Sequence, residues 1–179
     1  MSLNIEGERI YLRQLIETDA NDTYLGWLND PEVNRYLESR HKKQALKGLR
    51  AYIKETISEP ANLFLAIVLK SNNRHIGNIK LGPIDNNHRL GDIGLIIGEK
   101  DCWGKGYATE AISLLVNYAF KQLGLHKLTA GCYANNEGSA KAFIKAGFTD
   151  EGRLKSQYYC DGGYVDRICL GVINPEERE

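Results

Sequence analysis

Apolar positions recur along this chain with two periods, and the switches between them mark out its elements. Glu8 to Leu15 (Glu-Arg-Ile-Tyr-Leu-Arg-Gln-Leu) alternates roughly, which predicts a first strand. Thr18 or Asp19 stands where it can cap the next helix, which carries Tyr24, Trp27 and Leu28. Asp30-Pro31-Glu32 reads as a second helix start, with Asp30 accepting from an orphan amide and Pro31 in the first helical position. Leu46, Leu49, Ile53 and Ile57 share one face of a third helix, closed by Pro60 and Asn62.

A run of strands follows. Leu63 to Leu69 is continuously apolar, as a central strand would be. Ser71-Asn72-Asn73 predicts a turn into a strand from His75 to Leu81, and Asp85-Asn86-Asn87 a turn into one from Leu90 to Ile97. Gly98 to Gly106 reads as a loop. Ala108, Ala111, Ile112, Leu115, Ala119 and Leu123 recur at helical spacing, so Tyr107 to Leu123 is the clearest helix, with Gly124 at its C-terminus. Lys127 to Tyr133 predicts a strand and Glu137 to Ala146 a short helix stopped by Gly147. A hairpin with arms Gly152 to Cys160 and Tyr164 to Ile173 turns on Asp161-Gly162-Gly163. With no repeat, linker or low-complexity segment, the expectation is one mixed α/β domain over residues 1–179.

Composition narrows the function classes. A chain of 179 residues, 42% hydrophobic and 26% charged, suits one soluble globular domain. No apolar run approaches the roughly 20 residues of a membrane span, and the N-terminus lacks a signal-peptide pattern, so a cytoplasmic protein without membrane partners is expected. Basic and acidic residues balance at 23 each, which argues against a nucleic-acid module. The densest basic run, Arg40-His41-Lys42-Lys43, reads as a solvated loop. Cys102, Cys132, Cys160 and Cys169 form no Cys-x-x-Cys pair and the four histidines have no ligand spacing. Reduced cysteines and no metal are expected.

The chemistry concentrates in Trp103-Gly104-Lys105-Gly106-Tyr107-Ala108-Thr109-Glu110-Ala111. Glycines at 104 and 106 allow a tight turn and close approach of a ligand. The helix opening at Tyr107 presents free amides and its positive end toward that loop, which suits a phosphate, and Lys105 adds a mobile charge. A diphosphate fits over residues 102–108. A tight strand-to-helix turn needs the same glycines. The segment is neither a Walker A loop nor a dinucleotide fingerprint.

Gly91-Asp92-Ile93-Gly94-Leu95-Ile96-Ile97 followed by Gly104-Lys105-Gly106-Tyr107-Ala108-Thr109-Glu110-Ala111 resembles the acetyl-CoA signature of GCN5-related N-acetyltransferases. Asn135-Asn136-Glu137-Gly138-Ser139 and Lys145-Ala146-Gly147-Phe148 resemble that family's second signature. Arg9-Ile10-Tyr11-Leu12-Arg13-Gln14-Leu15 and Gly163-Tyr164-Val165-Asp166 point to its ribosomal-protein N-terminal acetyltransferase branch. The resemblance covers nearly the whole chain. It implies an α/β (α+β) fold: a mixed, largely antiparallel twisted sheet of about seven strands, splayed at strands 4 and 5 and flanked by helices. It places the pantetheine arm of acetyl-CoA along Leu95, Ile96 and Ile97, and the diphosphate over Trp103 to Thr109, chiefly the amides of Gly104 to Ala108. Asn136 and Ser139 would contact the pantetheine arm or sulfur, and Phe143 would lie beside the cofactor. The sequence departs from the pattern twice. Asp101 replaces the usual Gln or Arg three residues before the first loop glycine, and Phe143 stands where many members carry a tyrosine acid.

Acetyl transfer needs a neutral amine, a polarised thioester carbonyl and a stable leaving thiolate. An alkyl amine with a pKa of about 10.4 must lose a proton before it attacks. Asp92, matched by acids in the family, is the candidate base, with an exposed strand-edge carboxylate as the plain alternative. Ser139 can orient the sulfur or simply bond backbone in a first helical turn. Polarisation would come from a strand amide near Ile96. Tyr24, Trp27, Tyr36, Tyr158 and Tyr159 are candidates to line the acceptor cleft, against a packing role for each. The acceptor is expected to be a protein N-terminus or a small amine. An amino sugar on a nucleotide stays open through Trp27-Leu28-Asn29-Asp30-Pro31-Glu32-Val33-Asn34, as do a non-catalytic acyl-CoA-binding module and assembly as a homodimer.

Overall fold

The computed structural model describes residues 3–177. In chain order its elements are strands β1 (Asn4–Glu6) and β2 (Ile10–Gln14), helices α1 (Asp22–Asn29) and α2 (Leu46–Ser58), and strands β3 (Leu63–Leu69), β4 (His75–Leu81) and β5 (Leu90–Ile97). Helix α3 (Tyr107–Lys121), strand β6 (Lys127–Tyr133), helix α4 (Glu137–Lys145) and strands β7 (Thr149–Cys160) and β8 (Gly163–Ile173) complete it. The strands form one sheet of eight, ordered β1-β2-β3-β4-β5-β6-β8-β7. The eighth strand is Asn4–Glu6, which pairs antiparallel with β2 from Asn4↔Arg13 to Glu6↔Tyr11. It moves every later strand number up by one, so the expected splay beside the fourth strand lies beside β5. Among the described residues only β5 and β6 pair in parallel.

Period-two burial on β3 explains the two-sided core. Leu65, Ile67 and Leu69 point to a cluster with Ile112 and Leu115 of α3 and Phe143 of α4. Phe64, Ala66 and Val68 point to the opposite cluster, with Tyr24 and Trp27 of α1 and Leu49 and Ile53 of α2. A strand buried on both faces must be apolar throughout, and this one is. Among the described residues no helix is long and apolar enough to cross a membrane.

Four local expectations differ from the structure, the first two for identifiable reasons. Asn21, not Thr18 or Asp19, caps α1, its Oδ1 accepting from the Tyr24 amide at 3.0 Å. Asp19 is taken by Arg13, which donates to both carboxylate oxygens at 2.7 Å, and by the Ile16 amide at 2.9 Å. No helix starts at Asp30; its Oδ1 accepts from the Glu32 amide two residues on, an Asx-type turn that replaces a helix cap. Helix α3 ends at Lys121, two residues before Leu123, which is exposed. The hairpin arms begin earlier than expected, at Thr149 and Gly163.

The Arg13–Asp19 pair should matter for stability, since its carboxylate is 9% exposed. Burial alone would push the Asp19 pKa up, but the Arg13 guanidinium and the Ile16 amide outweigh it and hold it below the ordinary value. A depressed carboxylate contributes stability above its unfolded pKa of about 3.9 and loses it as pH falls through the folded value. Asp19→Ala is expected to cost about 3 kcal/mol at pH 7 by leaving a cation half-buried without its partner. In urea melts the gap from the parent protein should close in acid. A gap that stays constant down to strongly acidic pH would contradict this.

Candidate active site

Strand β4 holds β5 from Gly77↔Ile97 to Leu81↔Ile93. On its other side β5 pairs with β6 only from Leu90↔Lys127 to Asp92↔Thr129. Beyond that point β6 continues along β8 to Tyr133↔Arg167, and the two parallel strands part. The fork leaves the main chain of Ile93–Ile97 with no strand partner on one side, in the middle of the sheet. Gly94 is exposed and Leu95, Ile96 and Ile97 are half-buried. Unpaired backbone donors and acceptors in such a place favour a ligand able to hydrogen-bond as a strand does.

Because β5 and β6 are parallel, both run out at the mouth of the fork, and the helices that follow them, α3 and α4, both begin there. Two helix N-termini therefore bring free amides and positive dipole ends to one place. In the turn into α3, Gly104 and Gly106 have φ of +70° and +82°, a region that favours glycine. Trp103 Nε1 donates to the Ile97 carbonyl at 2.8 Å, tying the loop to the end of β5. Arg9 holds the other side: its Nη1 donates to the Lys105 carbonyl at 2.8 Å and its Nε to Glu110 at 2.8 Å. Glu110 also accepts from the amides of Arg9 and Ile10, and the Arg9 guanidinium lies 4.8 Å from the centre of the Tyr107 ring. Tyr107, Ala108 and Thr109 are half-buried and Lys105 is exposed. A surface cavity of about 450 Å³ adjoins the loop, lined by Arg9, Gly106, Thr109, Ser113 and Lys145 among others.

Asp101, the first departure from the family pattern, is matched by Arg74, which donates to both its oxygens at 2.9 and 2.7 Å. That hydrogen bonding holds the Asp101 carboxyl below its usual range, so its charge is countered beside the phosphate-type loop.

The face of the fork opposite α3 carries the remaining chemistry. Asp92 and Thr129 meet where the strands part, Thr129 Oγ1 donating to Asp92 Oδ2 at 2.8 Å. Burial pushes the Asp92 pKa up, while Thr129, Arg167 and Lys80 work against it. Along the same face of β6 stand Gly131 and then Tyr133, whose ring stacks on Tyr158 at 4.0 Å and meets Tyr36 at 5.5 Å. Tyr133 donates to Glu38 and accepts from Arg40 at 2.9 Å; burial and Glu38 push its pKa up to about 12, so it stays a neutral phenol. Tyr36 donates to the Asn135 carbonyl at 3.0 Å, and Arg35 pairs with Asp161 at 2.5 Å. Residues 35–40 thus form a strap across the end of this face.

Asp92, Tyr158 and Tyr36 lie along one face of the fork, whereas the other candidates are placed elsewhere. Tyr24 and Trp27 are 3% and 5% exposed, packed ring to ring at 5.4 Å, with Trp27 Nε1 bonded to Glu99 at 2.9 Å. They are core residues, because the apolar face of α1 turns inward. The Trp27–Asn34 segment spends its polar groups internally, Lys100 pairing with Asp30 at 2.7 Å and Glu32 at 2.6 Å. Tyr159 is exposed, packing on Tyr164 at the hairpin tip. Phe143 is 2% exposed and packs edge-on to Phe148 at 5.0 Å in the core beneath the fork. Asn136 caps α4, accepting from the Ser139 amide at 3.3 Å, and Ser139 is half-buried in the first turn. Arg40 is not solvated as the basic run suggested; it bridges Tyr133 to the carbonyls of Leu37 and Tyr159.

Comparison with known proteins bears on this arrangement. Residues 9–149 match a family model described as an acetyltransferase (GNAT) domain. The uncharacterized N-acetyltransferase YoaA of Bacillus subtilis is 32% identical over 177 residues, covering 97% of this chain and 98% of YoaA. Among solved structures, spermidine N-acetyltransferase from Vibrio cholerae in complex with CoA and spermine superposes with a TM-score of 0.84 at 22% identity, covering 94% of this chain and 97% of that one. RimL, a ribosomal L7/L12 alpha-N-protein acetyltransferase in complex with coenzyme A, gives 0.83 at 16% identity, covering 96% and 98%.

Proposed function

The chain belongs to the acetyltransferase (GNAT) family, and on that premise we propose that it moves the acetyl group of acetyl-coenzyme A directly to a primary amine. The observation that carries the reading is the fork, a free strand edge on β5 ending at two helix N-termini. Leu95 and Ile97, whose main chain faces the fork, offer backbone hydrogen bonds to the amide-rich pantetheine arm, and the amides of Gly104 to Ala108 receive the diphosphate, helped by Lys105. Arg9 and Glu110 keep that loop in shape from behind. The acetyl thioester supplies the electrophile. The amide of Leu95, which faces the open side of β5, polarises its carbonyl, and Asp92 takes the proton of the incoming amine, directly or through water. Ser139, near the start of α4, orients the sulfur. A thiolate with a pKa near cysteine's, about 8.5, departs without a strong acid, so the absence of a tyrosine at position 143 is tolerable.

The two solved neighbours are named for different acceptors, spermidine and a protein N-terminus, and the same two kinds are open to this chain. The test is release of free thiol from acetyl-CoA over an amine panel, with mass detection of the acetylated product. Amine-dependent release is expected; acetyl-CoA binding without turnover on any amine would contradict the reading. Glu110→Ala should raise the acetyl-CoA dissociation constant about tenfold, one lost positioning contact being worth roughly 1.4 kcal/mol. Calorimetry giving the parent value for the folded variant would remove the Arg9–Glu110 brace from the account.

A further inference from the structure

Arg167 is a cation without an assignment. It lies on β8 opposite Tyr133, on the face that holds Asp92. A Cβ built on Gly131 would fall 2.3 Å from Arg167 Nε and 2.6 Å from Nη2, so the guanidinium lies flat over the β6 backbone where only glycine leaves room. Its Nε is buried and has no hydrogen-bond partner among the described residues. A buried donor left unpaired is costly and uncommon in a native protein. The neighbouring carboxylates are engaged elsewhere: Asp92 accepts from Thr129, and Glu38 from Tyr133 with Arg40 3.7 Å away.

Position gives this cation a use. Gly131 stands two residues beyond Thr129 on one face, so Arg167 sits about 7 Å along the strand from the Asp92–Thr129 pair. Across the fork, nothing lies within 4 Å of a Cβ at Gly94, so the opposite wall is open. An amine held at Asp92 would place an oxygen three bonds beyond it within reach of Arg167.

Resting on the transfer reading above, we propose that the acceptor is an α-amino carbonyl compound, whose carbonyl or carboxylate oxygen is recognised by Arg167. Two physical arguments favour this class over a polyamine. A guanidinium beside the reacting amine repels the ammonium form and any second ammonium, whereas it attracts an oxygen. In addition, the α-amino group of a peptide has a pKa near 7.7–8.0 against about 10.4 for an alkyl amine, so at neutral pH its nucleophilic form is about 300-fold more abundant; a free amino acid, whose carboxylate stabilises its ammonium, keeps less of this advantage. A carboxylate base such as Asp92 is sufficient for the first and poorly matched to the second.

The class has two sources, a peptide N-terminus and a free amino acid, and the experiment separates them. Acetyl transfer is measured for a short peptide with a free N-terminus, the corresponding amino acid, butylamine and spermidine. The peptide or the amino acid should exceed butylamine and spermidine in kcat/KM by at least 100-fold, and the better of the two identifies the source. Arg167→Gln should collapse that preference mainly through KM, and Arg167→Lys should restore part of it, with acetyl-CoA affinity as the check on folding. Equal or better use of spermidine or butylamine by the parent protein would overturn this proposal while leaving acetyl transfer intact. Turnover of no amine would overturn the transfer reading and this proposal with it.

Discussion

Gly106→Val is expected to weaken acetyl-CoA binding at least 100-fold, about 2.7 kcal/mol, while the protein remains folded. Gly106 has φ +82° and ψ 4° as the residue that caps α3. A β-branched residue is a true outlier there, and holding it costs roughly 1–3 kcal/mol. Crowding is not the cause, because a Cβ would meet only Arg9 Nη2, at an ordinary 3.4 Å. The backbone is therefore the part that gives. Relaxing it turns the amides at the start of α3 away from the diphosphate and disturbs the Lys105 carbonyl bonded to Arg9. Gly106→Asn, which tolerates the left-handed region better, should retain most of the affinity. Calorimetry on the three proteins checks the order, and a folded valine variant with parental affinity would count against the cradle.

Asp92→Asn is expected to lower kcat by about 10²- to 10³-fold, in the range of a positioned general base, with acetyl-CoA affinity unchanged. The amide keeps the shape of the carboxylate and still offers an oxygen to Thr129. In the parent protein burial lifts the Asp92 pKa, so the acidic limb of the pH–rate profile should lie above the ordinary carboxylate value of about 3.9. The asparagine variant should lack that limb. Stability should move the other way. A carboxyl whose folded pKa is raised favours the folded state below its unfolded pKa, and that contribution is lost as pH rises through the folded value. At pH 7 the variant should therefore be no less stable than its parent. A profile that keeps its acidic limb would remove Asp92 as the base.

Main-chain requirements were the legible part of this protein. Gly104 and Gly106 announce a turn with positive φ, and both have it. The uniformly apolar Leu63–Leu69 announces a strand buried on both faces, which β3 is. Side-chain partnerships across long stretches of sequence were not legible. Arg9 meets Glu110 from 101 residues away, and nothing local to either marks the pair. Asp101 departs from the family pattern, and its partner Arg74 stands 27 residues earlier with no local mark of the pairing. Tyr24 and Trp27 sit on an amphipathic helix whose pattern fixes one apolar face but not what that face meets. An overlooked local signal is Gly131, a glycine inside a strand, which often marks close approach by another group. Here that group is Arg167.

Hydrogen–deuterium exchange with and without coenzyme A bears most directly on the central claim. Protection is expected to appear together in two short stretches, residues 94–97 on the free edge of β5 and residues 104–108 at the start of α3, with little change along β1 or β7. Protection confined to other elements, or none at saturating coenzyme A, would contradict the account.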